Sequence, residues 1–409
     1  MFEDPDISLL RISSAGSVDN GKSSLIGRLL YDSKSIFEDQ YSEVERSSNE
    51  TNSVNLAHLT DGLKDERELG ITIDVAYRYF ATPKRKFIIA DTPGHYEFTR
   101  NMVTGASNAD VLVLLVDVET GFTEQSKRHL FIANMLAIPN VILCVNKMDL
   151  VEYDQKSFTQ IEHDFINLTQ SMTFGNAQLV PISALKGDNV VSKSTNMPWY
   201  RGLSLLEQLE RMEPKKPDGS FGAVMVQSTV DSGGKKWHLG HVLEGKVNQT
   251  MDFRHRSNEV VFDDFRSCQL NGNGAVSNAP ISFTVANDNT IERGTILWSG
   301  DIGPQESKSF KARLCWFAET GFKLKGRYAL KSAQGVCELD VLRLLEVLDV
   351  ETLEFFKNDG AIEMNTIFNA ELYLGRERIN TPYNISRSLG SFILIDLDTN
   401  ETAAAGMIL

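Results

Sequence analysis

The stretch that decides the fold of the first half of the chain is GSVDNGKS, residues 16–23. It matches G-x-x-x-x-G-K-S, in which glycines let the backbone turn tightly and aim its N–H groups at phosphate oxygens. The Lys22 ammonium would reach the β- and γ-phosphates, and the Ser23 hydroxyl would bind Mg²⁺. The residues predicted to bind nucleotide through this loop are Gly16, Ser17, Val18, Asp19, Asn20, Gly21, Lys22, Ser23 and Ser24.

The residues on either side of the loop have the strand-then-helix order that a phosphate loop requires. LLRISSA (9–15) predicts a strand, and SLIGRLL (24–30) places its apolar residues on one face of a helix. The helix N-terminus would add its partial positive charge to the phosphate site. The alternative is a glycine-rich turn that binds nothing, and the motifs further along the chain argue against it.

The composition indicates a soluble globular protein. With 409 residues, of which 42% are hydrophobic and 23% charged, the chain has room for roughly two or three domains. The net charge of −14 disfavours non-specific binding to nucleic acid, which needs an excess of cationic side chains. The N-terminus does not resemble a signal peptide, and no apolar run reaches the roughly 18 residues of a membrane helix.

Cysteine usage indicates a reduced, cytoplasmic protein without a structural metal cage. The four cysteines are far apart and form no C-x-x-C pair, so we expect them to be packing residues. They are Cys144, Cys268, Cys315 and Cys337.

A charged stretch, DGLKDERELGITI (61–73), follows the loop and its helix. Its charges alone would fit a solvated helix face. Because the stretch comes after a phosphate loop, we interpret it as a mobile segment that ends at Thr72. The hydroxyl or carbonyl of Thr72 would complete the Mg²⁺ shell when a γ-phosphate is present.

The next motif, DTPGH (91–95), ends an apolar strand and is predicted to supply the catalytic groups. Asp91 would hold the metal through a water molecule. Gly94 would donate its N–H to the γ-phosphate, and His95 would orient the attacking water. A purely structural histidine is the alternative, but phosphoryl transfer relies mostly on positioning, for which a neutral imidazole suffices.

Two further motifs predict that the purine is guanine. In NKMD (146–149), Asn146 can contact the purine ring, and the Asp149 carboxylate would accept from the guanine N1–H and 2-amino groups, which adenine lacks. The Lys147 stem would pack on the base. A later strand ends in a tripeptide whose backbone suits guanine O6, namely Ser183, Ala184 and Leu185.

These motifs follow successive predicted strands, so residues 1–213 are predicted to form an α/β P-loop GTPase domain. PKKPDG (214–219) is a linker by composition. Beyond it, short alternating strands predict two small antiparallel β-barrels, residues 217–302 and 303–409, with a break at 301–304 and a turn at 271–274. HLGH (238–241) matches a motif of adenylyl-transferring enzymes, but it runs into a strand and is predicted to be structural.

A GTPase domain followed by two β-barrels resembles the translation elongation factor Tu superfamily. Within it, the sequence is most similar to the large, GTP-hydrolysing subunit of bacterial sulfate adenylyltransferases. The similarity covers the first 213 residues and returns at 391–396 and 405–407. The segments that carry it are GSVDNGKSSLIGRLLYDS (16–33), DGLKDERELGITIDVAYRYF (61–80), KRKFIIADTPGHYEFTRNMVTGAS (84–107), VNKMDLV (145–151), ALKGDNV (184–190) and MPWYRG (197–202).

The resemblance implies a heterodimer with a small catalytic subunit that joins ATP and sulfate into adenosine 5′-phosphosulfate and pyrophosphate. GTP hydrolysis, with Mg²⁺, would drive that unfavourable reaction through linked conformational steps. The family pattern also implies that Val18 and Ile71 flank His95 as an apolar gate. The chain departs from the pattern at Asn20, where the family usually has an acid, and at Trp237-His238-Leu239-Gly240, where it has an F-R-G-Y-type segment.

Two alternative functions stay open on the sequence. The divergent first barrel would suit a paralogous GTPase that drives a different adenylyl- or sulfur-transfer partner. A translation-type carrier of aminoacyl-tRNA is disfavoured by the acidic charge and by the closer match of the GTPase segments to the sulfate adenylyltransferase subunit.

Overall fold

The computed structural model describes residues 8–34, 72–214, 221–255, 258–267, 274–286, 291–300, 305–323, 326–357 and 361–409. The chain divides into two compact units. The first extends to Lys215 and includes Asp349–Glu354, and the second consists of Lys216–Leu348 and Phe355–Leu409. Several sequence-based expectations fall outside the described residues: most of the 214–219 linker and the 271–274 turn, the break at 301–304, Ile71 and Cys268.

The first unit is built on a six-stranded sheet in the order β2-β3-β1-β4-β5-β6. The β2–β3 pair is antiparallel, and the other neighbours are parallel. Every residue of β4 and β5 is buried, as the continuous apolar runs predicted. The strands are β1 (Leu9–Ala15), β2 (Ala76–Ala81), β3 (Lys86–Asp91), β4 (Val111–Asp117), β5 (Asn140–Asn146) and β6 (Asn176–Pro181).

Helices connect these strands, and side chains cap three of them. Thr123 accepts from the Ser126 N–H, and Asp154 from the Ser157 N–H at 2.9 Å. Ser204 forms a capping box with Glu207. The helices are α1 (Lys22–Asp32), α2 (Thr99–Ala106), α3 (Glu124–Met135), α4 (Gln155–Thr169) and α5 (Leu205–Arg211), with 3₁₀ helices at Tyr96–Phe98 and Met148–Val151.

The sheet positions the predicted site residues. Because β1, β3, β4, β5 and β6 run parallel, the loops that follow them lie along one edge of the sheet. Below that edge, α1 and α5 pack their apolar faces on the strands in a core that includes Leu25, Ile89, Val113 and Leu209.

The second unit begins with a β-domain whose main sheet has seven strands in the order β11-β10-β15-β7-β8-β14-β12, beside a β13–β9 pair. The chain turns at Gly245, where φ is 73° and a Cβ atom would collide with the Phe221 carbonyl oxygen. HLGH lies within β8, as predicted. The strands are β7 (Gly222–Ser232), β8 (Lys235–Glu244), β9 (Lys246–Val247), β10 (Phe253–His255), β11 (Asn258–Val260), β12 (Phe262–Ser267), β13 (Ala275–Val276), β14 (Pro280–Val285) and β15 (Ile296–Ser299).

The last part of the chain forms a second sheet in the order β17-β21-β22-β16-β20-β18-β19. An additional β17–β18 pairing closes six of these strands into a barrel around Trp316, Phe368 and Leu394. Its elements are β16 (Gln305–Trp316), β17 (Tyr328–Ser332), β18 (Gly335–Leu348), β19 (Phe355–Phe356), β20 (Ile367–Asn380), α6 (Arg387–Gly390), β21 (Ser391–Asp396) and β22 (Thr402–Ile408). Among the described residues, no helix has the length and apolar character needed to cross a membrane.

Candidate nucleotide-binding site

The loop between β1 and α1 has a backbone that requires its glycines. Gly16 has φ 141°, and a Cβ atom there would lie 2.5 Å from the Leu115 carbonyl oxygen. Gly21 has φ 88°, and a Cβ atom there would collide with the Asn146 amide nitrogen. Asp19 is also left-handed, with φ 61°. The loop is therefore a tight concave turn at the N-terminus of α1, the form that cradles phosphate.

The Lys22 side chain lies inside this turn. Its Nζ donates to the carbonyl oxygens of Gly16 and Ser17, each at 2.8 Å. Burial lowers the pKa of Lys22 to about 8, against the opposing charges of Asp91 and Asp19. A Cβ atom on Gly94 would collide with Nζ and would lie 2.8 Å from the Gly16 carbonyl oxygen. The DTPGH segment thus packs directly on the phosphate loop, and only glycine fits at the contact.

Oxygen atoms suited to Mg²⁺ lie beside the loop. Asp91 ends β3 and is buried, and its carboxylate accepts from the Ser14 hydroxyl at 3.1 Å. Ser23 and Ser24 open α1 and are half-buried, as is Thr72. Among the described residues, no group of three or more His, Cys, Asp or Glu side chains could hold a metal ion. The Asp91 carboxylate and the Ser23 hydroxyl are oxygen donors of the kind that Mg²⁺ prefers.

His95 stands at the entrance to the 3₁₀ helix Tyr96–Phe98. It is half-buried, with extended backbone angles of φ −75° and ψ 145°. Its ring lies 6.2 Å from that of Phe98, centroid to centroid, in an edge-on arrangement. Of the two residues expected to form an apolar gate, Val18 is 38% exposed on the phosphate loop. Ile71 lies outside the described residues.

Asn146 ties the phosphate loop to the purine motifs. Its Nδ2 donates to the Asn20 carbonyl oxygen at 2.8 Å, and its Oδ1 accepts from the Ala184 N–H at 2.9 Å. The next residue, Lys147, is left-handed with φ 65°, and its ammonium lies 2.8 Å from the Asp117 carboxylate. Asp149 is half-buried in the 3₁₀ helix Met148–Val151.

The SAL tripeptide lies beside Asn146 and is held by its own loop and by α1. The buried Ser183 hydroxyl accepts from the Lys186 N–H at 3.1 Å, and Ala184 is buried while Leu185 is exposed. Arg28 on α1 donates its Nε to the Ala184 carbonyl oxygen at 3.3 Å and one terminal nitrogen to that of Leu185 at 2.5 Å. Helix α1 thus contacts both ends of the site.

Several residues that sequence reasoning missed lie behind the phosphate loop. His129 on α3 is fully buried, and its Nδ1 accepts from the Gly16 N–H at 3.2 Å. Burial, with the Lys22 and Arg128 charges, lowers its pKa to about 3, so the imidazole is neutral. The Ser17 hydroxyl lies 2.5 Å from that of Thr123, and the Asn20 amide donates to the Leu115 carbonyl oxygen at 2.9 Å.

A weak signal for His129 was available in the sequence, because this histidine directly precedes the apolar residues LFIA. Arg28 and Asp117 carried no such signal. Arg28 lies 156 and 157 positions from Ala184 and Leu185, and Asp117 lies 30 positions from Lys147, and no motif links these partners.

Two family models match the chain: the elongation factor Tu GTP binding domain over residues 8–215, and the GTP-eEF1A C-terminal domain-like family over residues 309–409. Among curated proteins, the bifunctional enzyme CysN/CysC of Mycobacterium tuberculosis is 42% identical over 98% of this chain and 67% of its own length. Sulfate adenylyltransferase subunit 1 of Saccharophagus degradans is 40% identical over 98% of this chain and 87% of its own length.

Matches among solved structures include sup35 complexed with GDP, which covers 99% of this chain and 94% of its own at a TM-score of 0.42 and 20% identity. The bacterial selenocysteine-specific elongation factor EF-Sec covers 98% of this chain and 58% of its own at a TM-score of 0.46 and 18% identity.

Proposed function

Because the chain belongs to the sulfate adenylyltransferase subunit 1 family, within the GTPases related to elongation factor Tu, we propose that it couples GTP hydrolysis to sulfate activation by a partner. The chain is a GTPase subunit of the sulfate adenylyltransferase type. The partner would be a small catalytic subunit, in a heterodimer, that joins ATP and sulfate into adenosine 5′-phosphosulfate and pyrophosphate.

The observation that carries the GTPase assignment is the bridge through Asn146. The Asn146 side chain accepts from the Ala184 N–H and donates to the Asn20 carbonyl oxygen. It therefore fixes the distance between the phosphate loop and the segments proposed to bind the base. A nucleotide can then contact both segments at once, and GTP is the nucleotide that the Asp149 carboxylate selects.

The hydrolytic step follows from the residues around Lys22. The loop N–H groups and the Lys22 ammonium would stabilise negative charge on the β- and γ-phosphates. The Gly94 N–H would contact the γ-phosphate, and His95 would orient the attacking water. Bound Mg²⁺, held by Ser23, Thr72 and, through water, Asp91, would neutralise charge on the phosphate oxygens.

The remaining assignments are proposals of the same kind. We assign residues 1–213 to the GTPase domain, and 217–302 and 303–409 to the two barrels. We assign the protein to the cytoplasm, with ATP and sulfate bound by the partner and nucleic acid disfavoured as a ligand by the net charge of −14.

The test is GTP turnover by the full chain with purified small subunit, ATP and sulfate, each omitted in turn. We expect turnover to fall when any one is left out, and synthesis of adenosine 5′-phosphosulfate to fall when GTP is left out. His95→Ala serves as the inactive control. GTP turnover that is indifferent to ATP and sulfate would refute the coupling.

A paralogous role with another adenylyl- or sulfur-transfer partner is the second candidate. The divergent β8 segment favours it, because the chain has Trp237-His238-Leu239-Gly240 where the family has an F-R-G-Y-type segment, and the Arg266 guanidinium lies 4.5 Å from the centre of the Trp237 ring. Failure of the small sulfate adenylyltransferase subunit to bind the chain, with GTP hydrolysis intact, would support this second role.

A further inference from the structure

A buried arginine on α3 contacts the segment that carries His95. The Arg128 side chain is 7% exposed, and its guanidinium carbon lies 4.9 Å from the centre of the Tyr96 ring. A guanidinium at this distance over an aromatic face is attracted by the ring, and more strongly where water is excluded. Tyr96 is the residue directly after His95.

The guanidinium is held from the other side by its own helix. One terminal nitrogen donates to the Glu124 carboxylate at 2.6 Å, and the other to the Gln125 amide oxygen at 2.8 Å. Two charge-assisted bonds at one planar group fix both its position and its orientation. The face presented to Tyr96 is therefore set by α3 and not by the Tyr96 segment.

The same turn of α3 contacts the phosphate loop. His129, the next residue, accepts from the Gly16 N–H, and its other ring nitrogen lies 3.1 Å from the Gln125 amide nitrogen. Gln125 thus contacts both Arg128 and His129. One turn of α3 therefore contacts both the phosphate loop, through His129, and the segment that carries His95, through Arg128.

Hydrogen bonds to the backbone connect Tyr96, which Arg128 contacts, to His95. The Phe98 N–H donates to the His95 carbonyl oxygen at 3.2 Å, and the Thr99 hydroxyl to that of Tyr96 at 2.8 Å. These bonds close the 3₁₀ turn, so the residue whose ring Arg128 contacts and the His95 backbone belong to one short hydrogen-bonded turn. A shift of about 1 Å at a catalytic group is enough to lower a rate strongly.

We propose that Arg128 is a positioning residue for GTP hydrolysis, which sets the placement of His95 by holding the Tyr96 ring. The inference rests on the proposed role of His95. It does not depend on the identity of the partner subunit.

The experiment compares Arg128→Ala, Tyr96→Ala and Tyr96→Phe in the full chain, each with His95 intact and with His95→Ala. Single-turnover GTP hydrolysis and GTP affinity are measured separately. With His95 intact, Arg128→Ala and Tyr96→Ala should each slow hydrolysis by about tenfold with less than about twofold change in GTP affinity. Tyr96→Phe keeps the ring face and should keep most of the rate.

The double variants decide between positioning and a general structural effect. If Arg128 acts through His95, adding Arg128→Ala to His95→Ala should not slow hydrolysis further, and Arg128→Ala with Tyr96→Ala should match either single variant. Arg211→Ala, an exposed arginine on α5, is the matched control and should leave both quantities unchanged.

Three outcomes would overturn the inference: an unchanged rate in Arg128→Ala, a further loss in the His95→Ala background, or a loss of GTP affinity equal to the loss of rate. If Arg128→Ala does not fold, Tyr96→Ala carries the same test, because that ring is 42% exposed. Normal hydrolysis in His95→Ala alone would instead contradict the proposed function.

Discussion

At the scale of single residues, buried polar side chains hold the phosphate loop in place. Ser14, Asn20, Asn146 and His129 are all buried, and each makes a hydrogen bond to a backbone atom. A buried polar group without a partner is costly, so these contacts also select one loop conformation over others. We expect substitution of these residues to change the conformation of the phosphate loop more than it changes the packing of the sheet.

His129 gives the protein an acid-sensitive element. In the unfolded chain a histidine takes up a proton below about pH 6.5, whereas the folded state holds the pKa of His129 at about 3. Between these values the unfolded state binds more protons, so the free energy of unfolding falls as the pH falls, by at most about 1.4 kcal/mol per pH unit. Between pH 7 and pH 5, the free energy of unfolding measured with urea should depend less steeply on pH in His129→Gln than in the wild type.

The matched control for this measurement is His163→Gln, because His163 is an exposed histidine on α4. His163→Gln should show the same pH dependence of the free energy of unfolding as the wild type. An identical slope in wild type and His129→Gln would show that the buried imidazole does not contribute to acid sensitivity.

At the scale of elements, α1 links the two halves of the nucleotide site. It begins at Lys22 inside the phosphate loop and, on its later turns, places Arg28 against the carbonyl oxygens of Ala184 and Leu185. Asp32 lies 3.7 Å from the Arg28 guanidinium and helps to orient it. The helix thus fixes the backbone that would read guanine O6.

Arg28→Ala should weaken GTP binding while leaving the maximal rate of hydrolysis nearly unchanged. Removal of hydrogen bonds from a charged donor to the backbone costs about 1.5–3 kcal/mol, so a loss of affinity of roughly tenfold or more is expected. Fluorescent GTP titration and single-turnover hydrolysis measure the two quantities. A large fall in rate with unchanged affinity would contradict this role for α1.

Asp149→Asn provides the reference in the same titration. This substitution should weaken GTP binding and let xanthosine triphosphate compete, because the introduced amide can donate a hydrogen bond where the Asp149 carboxylate only accepts. Arg28→Ala should weaken the binding of both nucleotides alike, since the backbone of residues 183–185 would contact the O6 atom that guanine and xanthine share.

At the scale of the whole molecule, the site residues belong to the first compact unit, and the second unit supplies β-sheets with their own cores. The closing β17–β18 pair joins strands that are also consecutive in the chain, so it adds closure without a long connection. The first unit therefore needs no residue of the barrels to assemble the contacts described for the phosphate loop and the purine motifs.

Nucleotide should stabilise the chain by mass action. At a GTP concentration 100 times the dissociation constant, the free energy of unfolding should rise by about 2.7 kcal/mol. Equal concentrations of ATP should have little effect, because adenine lacks the N1–H and 2-amino donors from which the Asp149 carboxylate would accept. Hydrogen exchange with GTP and Mg²⁺ present should slow at residues 16–24 and 183–185, and the same protection by ATP would contradict guanine selection.

Local sequence determined the features that depend on backbone conformation and short-range pattern. The loop glycines, the buried runs of β4 and β5 and the strand setting of HLGH follow from a few adjacent residues, so they could be predicted. The order of motifs along parallel strands also placed the candidate residues at one edge of the sheet, because the carboxyl ends of parallel strands meet there.

Tertiary structure decided the contacts that join distant parts of the chain. Arg28 against the SAL backbone, Asp117 against Lys147, and Arg128 against Tyr96 each depend on how two elements pack and which rotamers that packing allows. Such contacts have no local signature, since the stabilisation arises only when both partners are buried together. Residues 16–23, together with the motifs that follow the later strands, thus predict a phosphate-binding turn, while buried side chains that hold it in place, such as Asn146 and His129, come from other parts of the fold.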